Sequence, residues 1–327
     1  MLEVQSWRSL LETIIGSTKE RQRLARVLNV PTATLRSWAE GKADPQIQQL
    51  YLLINALPRY RQQLLSLIAN EVESTSQPEP VEEIADIPSV FYAHVLSGST
   101  ALTQPVRFWS LSNMILNQAL SQLDPQHSGM SLQVVRCMPP GEVTGKVCSL
   151  RVSVSVCTSP WHGEADQQAM LLGAESLAGW AVTVRRLVVV NEQMENSAFP
   201  PQMMPRENCA AAYPIERANC VAGCLFVACA QPEYLVPARI MLIRHYANLL
   251  SLAFEPDEFY EGKQIDLQVM PALDVQLPWR SAFQRRVADT LMLATQNSSV
   301  VEVAQAEMQV WQQYEEEFLK LMRHTQG

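Results

Sequence analysis

Residues 18–45 read TKERQRLARVLNVPTATLRSWAEGKADP, and this stretch decides how the first part of the chain folds. In its first half Leu24, Ala25 and Leu28 recur at helical spacing and share one face. Arg23 and Arg26 point away from that face, and Arg21 sits at its N-terminal edge. Val30 is an apolar plug, and Pro31-Thr32 supplies a turn and a fresh helix start. The second helix turns Thr32, Thr34, Arg36 and Ser37 outward and Leu35 and Trp38 inward. Gly41 stops it, and Pro45 blocks any continuation. A small residue at the crossing and a short turn let two helices pack at a steep angle.

The flanks complete an all-α domain over residues 1–70. Ser6 to Ile15 is a helix with Trp7, Leu10, Leu11, Ile14 and Ile15 on one face. Leu50, Leu53, Ile54 and Leu57 precede Pro58, and Leu64, Leu65 and Ile68 form a further helix. This segment resembles the Cro/repressor-type (XRE) helix-turn-helix family at Leu24-Ala25, Leu28, Val30, Thr34-Leu35, Gly41 and Pro45, followed by the apolar run Leu50 to Leu57. The resemblance spans roughly Ser6 to Asn70. It implies that the Thr32–Trp38 helix enters the major groove of a double-stranded DNA operator, with Thr34 and Arg36 at base edges and Thr32 beside them. Arg21, Arg23, Ser37 and Lys42 suit phosphate contacts, which fix register without reading sequence. Arg21 stands where the family often has Gln, and Ala39 where it often has an acid, so no base preference carries over.

Charge agrees with that expectation. Residues 1–70 hold nine Lys/Arg against five Asp/Glu, whereas the whole chain carries a net charge of −8. A basic module on an acidic protein is the electrostatic footprint of duplex binding.

At 327 residues the chain is long enough for two or three domains, and 47% hydrophobic with 18% charged residues describes an ordinary globular composition. No run approaches the ~20 apolar residues of a membrane span. The start, MLEVQSWRSLLETII, lacks the basic region and cleavage site of a secretory signal, so a cytoplasmic protein is expected. Seven cysteines at irregular spacings fit neither a disulfide framework nor a zinc pattern, and no cofactor is implied. Glu71 to Pro88 carries six acids, three prolines and no Lys or Arg, and reads as an extended, self-repelling linker.

Residues 89–255 read as an α/β domain. Val106 to Leu123 is helical, with Val106, Trp109, Leu116, Leu120 and Leu123 as its apolar stripe. Strands follow at Leu132 to Cys137 and Ser149 to Cys157, joined through Pro139-Pro140-Gly141. The alternation in the second places Leu150, Val152, Val154 and Val156 on one face. Leu171 to Glu192, strands at Cys209 to Glu216 and Cys220 to Ala230, and a helix from Tyr234 to Phe254 complete the unit.

That order resembles the GAF family, most sharply at Gly173-Ala174-Glu175-Ser176-Leu177-Ala178-Gly179-Trp180-Ala181-Val182, at Val188-Val189-Val190-Asn191-Glu192, and in the later AAYPIERANCVAGCLFVA. The resemblance implies a six-stranded antiparallel sheet with a pocket on one side, used to bind a small-molecule effector or to dimerise. Neither the residue set of cyclic-nucleotide GAF domains nor a Cys-His pair for a bilin is present. Cys137, Cys148, Trp161, His162 and Trp180 are candidate pocket residues. Residues 256–327 form a connector and helices from Pro278 to Ala294 and Ser298 to His324. The last helix carries Ala304, Met308, Trp311, Tyr314, Phe318 and Leu321 at steps of three or four, with Glu315, Glu316 and Glu317 outward. That seam suits either a homodimer or packing on the chain's own sheet.

No P-loop, Rossmann fingerprint, G-x-S-x-G or H-E-x-x-H occurs, and the only compact acid/base set, Trp161 to Asp166, has no accompanying nucleophile. The sequence therefore predicts a non-enzymatic, multidomain protein: an all-α helix-turn-helix domain, an acidic linker, a GAF-like α/β sensor domain with an antiparallel sheet, and C-terminal helices. A regulator of transcription is the expected function, its DNA affinity set by a small-molecule effector or by thiol oxidation. An interaction scaffold is the rival reading.

Overall fold

The computed structural model describes residues 6–28, 30–43, 45, 47–57, 59–61, 63–64, 67, 86–141, 144–161, 171–191, 207–296 and 302–325. The chain divides into two compact units, whose described residues fall within Met1–Glu82 and within Glu83–Glu192 with Pro201–Gly327.

The first unit contains α1 (Trp7–Ile15), α2 (Thr18–Val27), α3 (Thr32–Ala39) and α4 (Ile47–Ala56). Ser6 caps α1 through a reciprocal bond with Ser9, and Trp7, Leu10, Leu11, Ile14 and Ile15 are all buried, as their spacing requires. Leu24, Leu28, Leu35, Trp38, Leu53, Ile54, Leu57 and Leu64 are buried with them. Gly41 ends α3 at φ +70°, a conformation that costs glycine little. Lys42 N–H then bonds Ser37 C=O at 2.9 Å and Gly41 N–H bonds Trp38 C=O at 3.2 Å, a Schellman closure that satisfies two orphan carbonyls. The expected helix around Leu64, Leu65 and Ile68 lies largely outside the described residues.

The second unit is built on one antiparallel sheet. Its strands are β1 (Met130–Cys137), β2 (Leu150–Cys157), β3 (Leu171–Leu172), β4 (Val188–Asn191), β5 (Cys209–Arg217) and β6 (Cys220–Cys229), in the spatial order β3-β2-β1-β6-β5-β4. A short β7 (Tyr260–Glu261), inside the expected connector, pairs with β6. Six strands on one path match the GAF-like expectation. The β5–β6 hairpin turns through Ala218 and Asn219, both at positive φ, the backbone of a two-residue turn matched to sheet twist.

Helices α5 (Ser89–Ala101), α6 (Gln104–Leu123) and α8 (Pro237–Leu250) share a core with Leu132, Val134, Val154, Leu225 and Val227 on one face of this sheet. The residues on α7 (Leu177–Val184) fall outside that core, and this helix packs on β5 and β6. The C-terminal helices α9 (Leu273–Gln296) and α10 (Val303–Thr325) form a separate apolar cluster with Met138, Leu171 and Met270.

Five sequence expectations need correction. First, α5 was not foreseen: it is apolar nearly all round, so it lacks a helical stripe. Second, Val106 and Trp109 are about half exposed, and α6 instead buries Phe108, Leu111, Ile115, Leu116, Ala119 and Leu123. Third, β2 does not keep one face. Val134 pairs with Val154 and Val135 with Val152, so Ser153 has no partner opposite it. This bulge moves Leu150 and Val152 to the face of Cys137 and Val135, while Val154 and Val156 stay with Val134 and Leu132. Fourth, the buried line of α10 is Ala306, Val310, Tyr314 and Phe318, with Ala304 exposed and Leu321 at 42%. Glu315, expected outward, is buried and accepts from Ser149 Oγ at 2.6 Å. Two apolar lines run side by side on this helix, and periodicity alone does not choose between them. The helix starts also shift: α9 begins at Leu273 and carries Pro278 within it.

Asp124 ties the end of α6 to the sheet. Its Oδ1 accepts from Ser128 N at 2.7 Å, and its Oδ2 accepts from Gly129 N at 3.2 Å and Thr158 Oγ1 at 2.5 Å. The carboxylate is buried, so truncating it strips Ser128 N and Gly129 N of their acceptor and leaves Thr158 Oγ1 only the longer bond to Met130 C=O at 3.4 Å. Asp124→Ala is expected to lower stability by about 2–4 kcal/mol, read as a lower urea midpoint at unchanged slope.

Candidate functional sites

The first candidate surface lies on α2 and α3. Thr32 and Arg36 are exposed, and Thr34 and Ser37 are half-buried, so the outward set predicted for α3 is outward. An open groove of about 550 Å³ between the two helices is lined by Gln22, Ala25, Arg26, Val30, Pro31 and Thr32. The cations differ in their commitments. Arg23 pairs with Glu20 at 2.8 Å and donates to Ala56 C=O at 3.0 Å, so it also bridges α2 to the end of α4. Arg21 donates to Ile15 C=O at 3.3 Å. Lys42 pairs with Glu40 at 2.6 Å, and that contact holds the Glu40 carboxyl below its ordinary range. The Arg36 guanidinium makes no hydrogen bond or ion pair among the described residues, although its charge also lowers the Glu40 carboxyl.

The second candidate surface is the sheet face opposite the Leu/Val core. Strand alternation sends Ser131, Gln133, Val135 and Cys137 of β1 to this face, since Leu132 and Val134 belong to the other. Cross-strand register adds Ser155 beside Gln133 on β2, and Phe226 beside Gln133 on β6. Ala212 then lies opposite Phe226, and Ala210 opposite Ala228. Helix α7 starts from a closely packed turn. Ser176 caps it by accepting from Gly179 N at 2.8 Å, and Ser176 Oγ donates to Gly173 C=O at 2.7 Å. A Cβ on Gly179 would lie 1.9 Å from that same carbonyl, so no other residue fits.

Glu175 fixes the turn from beneath. Its carboxylate accepts from Gly173 N at 2.8 Å and from Met270 N at 2.9 Å, joining the start of α7 to the segment that leads into α9. Burial pushes its carboxyl up to about 7, against the pull of those N–H groups.

The structure disperses the predicted pocket residues. Cys137 ends β1 opposite Leu150, and burial raises its thiol to about 12. Cys148 lies against the 264–268 segment, where Gln268 N donates to its carbonyl, and its thiol contacts Thr144. Trp161 is buried beside Thr158, and its carbonyl accepts from Cys157 Sγ. Trp180 is buried on α7. His162 lies outside the described residues. Gln133, Ser131 and Ser155 were missed, although polar residues in an otherwise apolar strand, MSLQVV, were the available signal. All seven cysteines are free thiols. Cys209 and Cys229 face each other across β5 and β6. A hydrogen bond from Cys229 and the N–H groups of Tyr234 and Leu235 hold the Cys209 thiol below its ordinary value.

No family model matches the chain, and no curated protein matches it. Among solved structures it is similar to the GAF domain of an Acinetobacter phosphoenolpyruvate-protein phosphotransferase, at 15% identity over 51% of this chain and 93% of that one, with a TM-score of 0.36. It is also similar to the type II free methionine-R-sulfoxide reductase of Thermoplasma acidophilum, at 14% identity, 47% and 98% coverage, and a TM-score of 0.34. A third is the GAF domain of a two-component sensor histidine kinase from Bacillus halodurans, at 14% identity, 43% and 91% coverage, and a TM-score of 0.33. At such values the description of the fold rests on the sheet order and its flanking helices. The second unit is a mixed α/β fold, a six-stranded antiparallel path with packed helices. Among the described residues, no helix is long and apolar enough to cross a membrane.

The Glu175 shift has a defined sign. A carboxyl at about 7 in the fold and at its ordinary 4.5 when unfolded binds its proton more tightly in the native state. Its contribution to stability is therefore full below 4.5, falls as pH rises to 7, and is lost above that. Glu175→Gln removes this titration. Urea unfolding of the wild type is expected to lose up to about 3 kcal/mol from this group between those limits, and the variant to lose correspondingly less.

Proposed function

We propose that the chain is a cytoplasmic regulator of transcription. Its first unit binds a double-stranded DNA operator as part of a homodimer, and its GAF-like unit senses a small-molecule effector. The observation that carries the DNA reading is the α2-turn-α3 pair, closed at Gly41 and presenting Thr32, Thr34, Arg36 and Ser37 outward. The basic balance of residues 1–70 on an acidic chain supports it. In this reading Arg36 and Thr34 read base edges, and Arg21, Arg23, Ser37 and Lys42 hold phosphates.

One observation favours the rival, a non-enzymatic interaction scaffold. Arg23 and Lys42 are already paired with Glu20 and Glu40. Exposed pairs of this kind are weak in water and exchange readily for phosphate. The facing thiols Cys209 and Cys229 favour a second signal, oxidation to a disulfide. Identical DNA affinity under oxidising and reducing conditions would end that variant.

DNA binding by the purified chain is measured against genomic fragments at two salt concentrations, beside Arg36→Ala. Selective binding that weakens with salt and falls at least about ten-fold in the variant is expected, since a bidentate base contact contributes roughly 1–3 kcal/mol. Absence of selective binding even at low salt favours the scaffold.

A further inference from the structure

We infer that the effector is a small uncharged molecule bearing an N–H or O–H donor, held on the sheet face opposite the helical core by the Gln133 amide with the hydroxyls of Ser131 and Ser155. This deepens the sensing role proposed above and rests on it.

The argument begins with an unmet hydrogen bond. Gln133 is fully buried, its Nε2 donates to Ser131 Oγ at 3.3 Å, and its Oε1 has no partner among the described residues. Ser155 Oγ, directly beside it across β1 and β2, is buried and equally unpartnered, as is Thr183 Oγ1 on α7. Rotating the Gln133 amide does not remove the problem, because the Nε2 would then be the orphan. A buried polar atom left unmatched costs about 1–3 kcal/mol. Two of them side by side on one face cost more than an apolar pair would, and such a cost persists where a ligand repays it.

The lining sets the size and charge of that ligand. Around Gln133 the strands place Ser131, Ser155 and Ala228 with Val135 and Phe226, and Ala210 and Ala212 beyond them, whereas the other face of the same strands carries Leu132, Val134, Leu225 and Val227. The short side chains among them make this face shallower than the other. None of the side chains beside Gln133 on β1, β2 and β6 is charged, α7 itself, LAGWAVTV, has none, and Glu216, farther along β5 on this face, is already paired with Arg185 at 2.7 Å. A carboxylate or phosphate would lose its hydration there with no counter-charge to replace it. A neutral molecule that donates to Gln133 Oε1 and exchanges a bond with Ser155, its ring or alkyl part against Phe226, meets each requirement.

The test uses matched neutral and anionic probes on the full chain: nicotinamide against nicotinate, and uracil against orotate. Side-chain amide NMR of Gln133 and equilibrium titration are read together, with DNA affinity measured in parallel. Saturable shifts of the Gln133 amide by a neutral probe are expected, with its carboxylate counterpart at least about ten-fold weaker. Gln133→Met is expected to fold with unchanged or raised thermal midpoint while losing about ten-fold or more in probe affinity. Ser155→Ala serves as a milder second variant with a smaller loss. Failure of both neutral probes to saturate, tighter binding of the anions, or retention of affinity in Gln133→Met overturns the assignment. If an anionic probe instead changes DNA affinity, the sensing role stands and only this inference falls. If no probe binds or changes DNA affinity, both lose their support.

Discussion

The second unit depends on the position of β1. It is hydrogen-bonded on both sides, to β2 and to β6, so each of its side chains must face one of two covered surfaces. The period of two then sorts its residues without exception. Met130, Leu132 and Val134 enter the helical core, and Ser131, Gln133, Val135 and Cys137 go to the opposite face. A slip of one residue would exchange the two sets and bury a Gln-Ser row under α6 and α8. The bulge at Ser153 preserves that register while reversing the phase of half of β2.

The two faces therefore have different physical roles. One is packed with Leu, Val and aromatic side chains from the sheet, α5, α6 and α8, and Arg136 lies over the Phe108 ring at 4.0 Å while pairing with Glu258. Burial lowers that guanidinium to about 10, yet it stays charged at neutral pH. The other face mixes Val135, Cys137 and Phe226 with Ala, Ser and an amide. Stability comes from the first, and the second retains polar atoms that the fold itself does not satisfy. Unmatched polar groups where packing could have been apolar mark a surface retained for something other than stability.

The C-terminal helices are held by their own local network. Trp279 meets Tyr314 and Phe318 edge to face, Arg151 lies 5.0 Å from the Trp311 ring, and Gln276 bonds both the N–H and the C=O of Leu171. These contacts bury the aromatic line of α10 within its own unit. A dimer of the proposed regulator would use surface other than Tyr314 and Phe318.

Sequence alone determined the elements whose signals are local. The amphipathic faces of α1 to α3, the glycine stop at Gly41, the capped turn from Gly173 to Gly179, and the strands at β1, β2, β5 and β6 all follow from spacing and conformational preference. The outward placement of Thr32 and Arg36 was legible for the same reason. Tertiary structure decided what periodicity leaves degenerate. α5 is apolar all round, α6 and α10 each carry two adjacent apolar lines, and one unpaired residue at Ser153 reverses a strand's phase. The orphaned amide of Gln133 could be recognised only after register placed Ser155 and Phe226 on either side of it, because whether a polar atom is satisfied depends on neighbours distant in the chain.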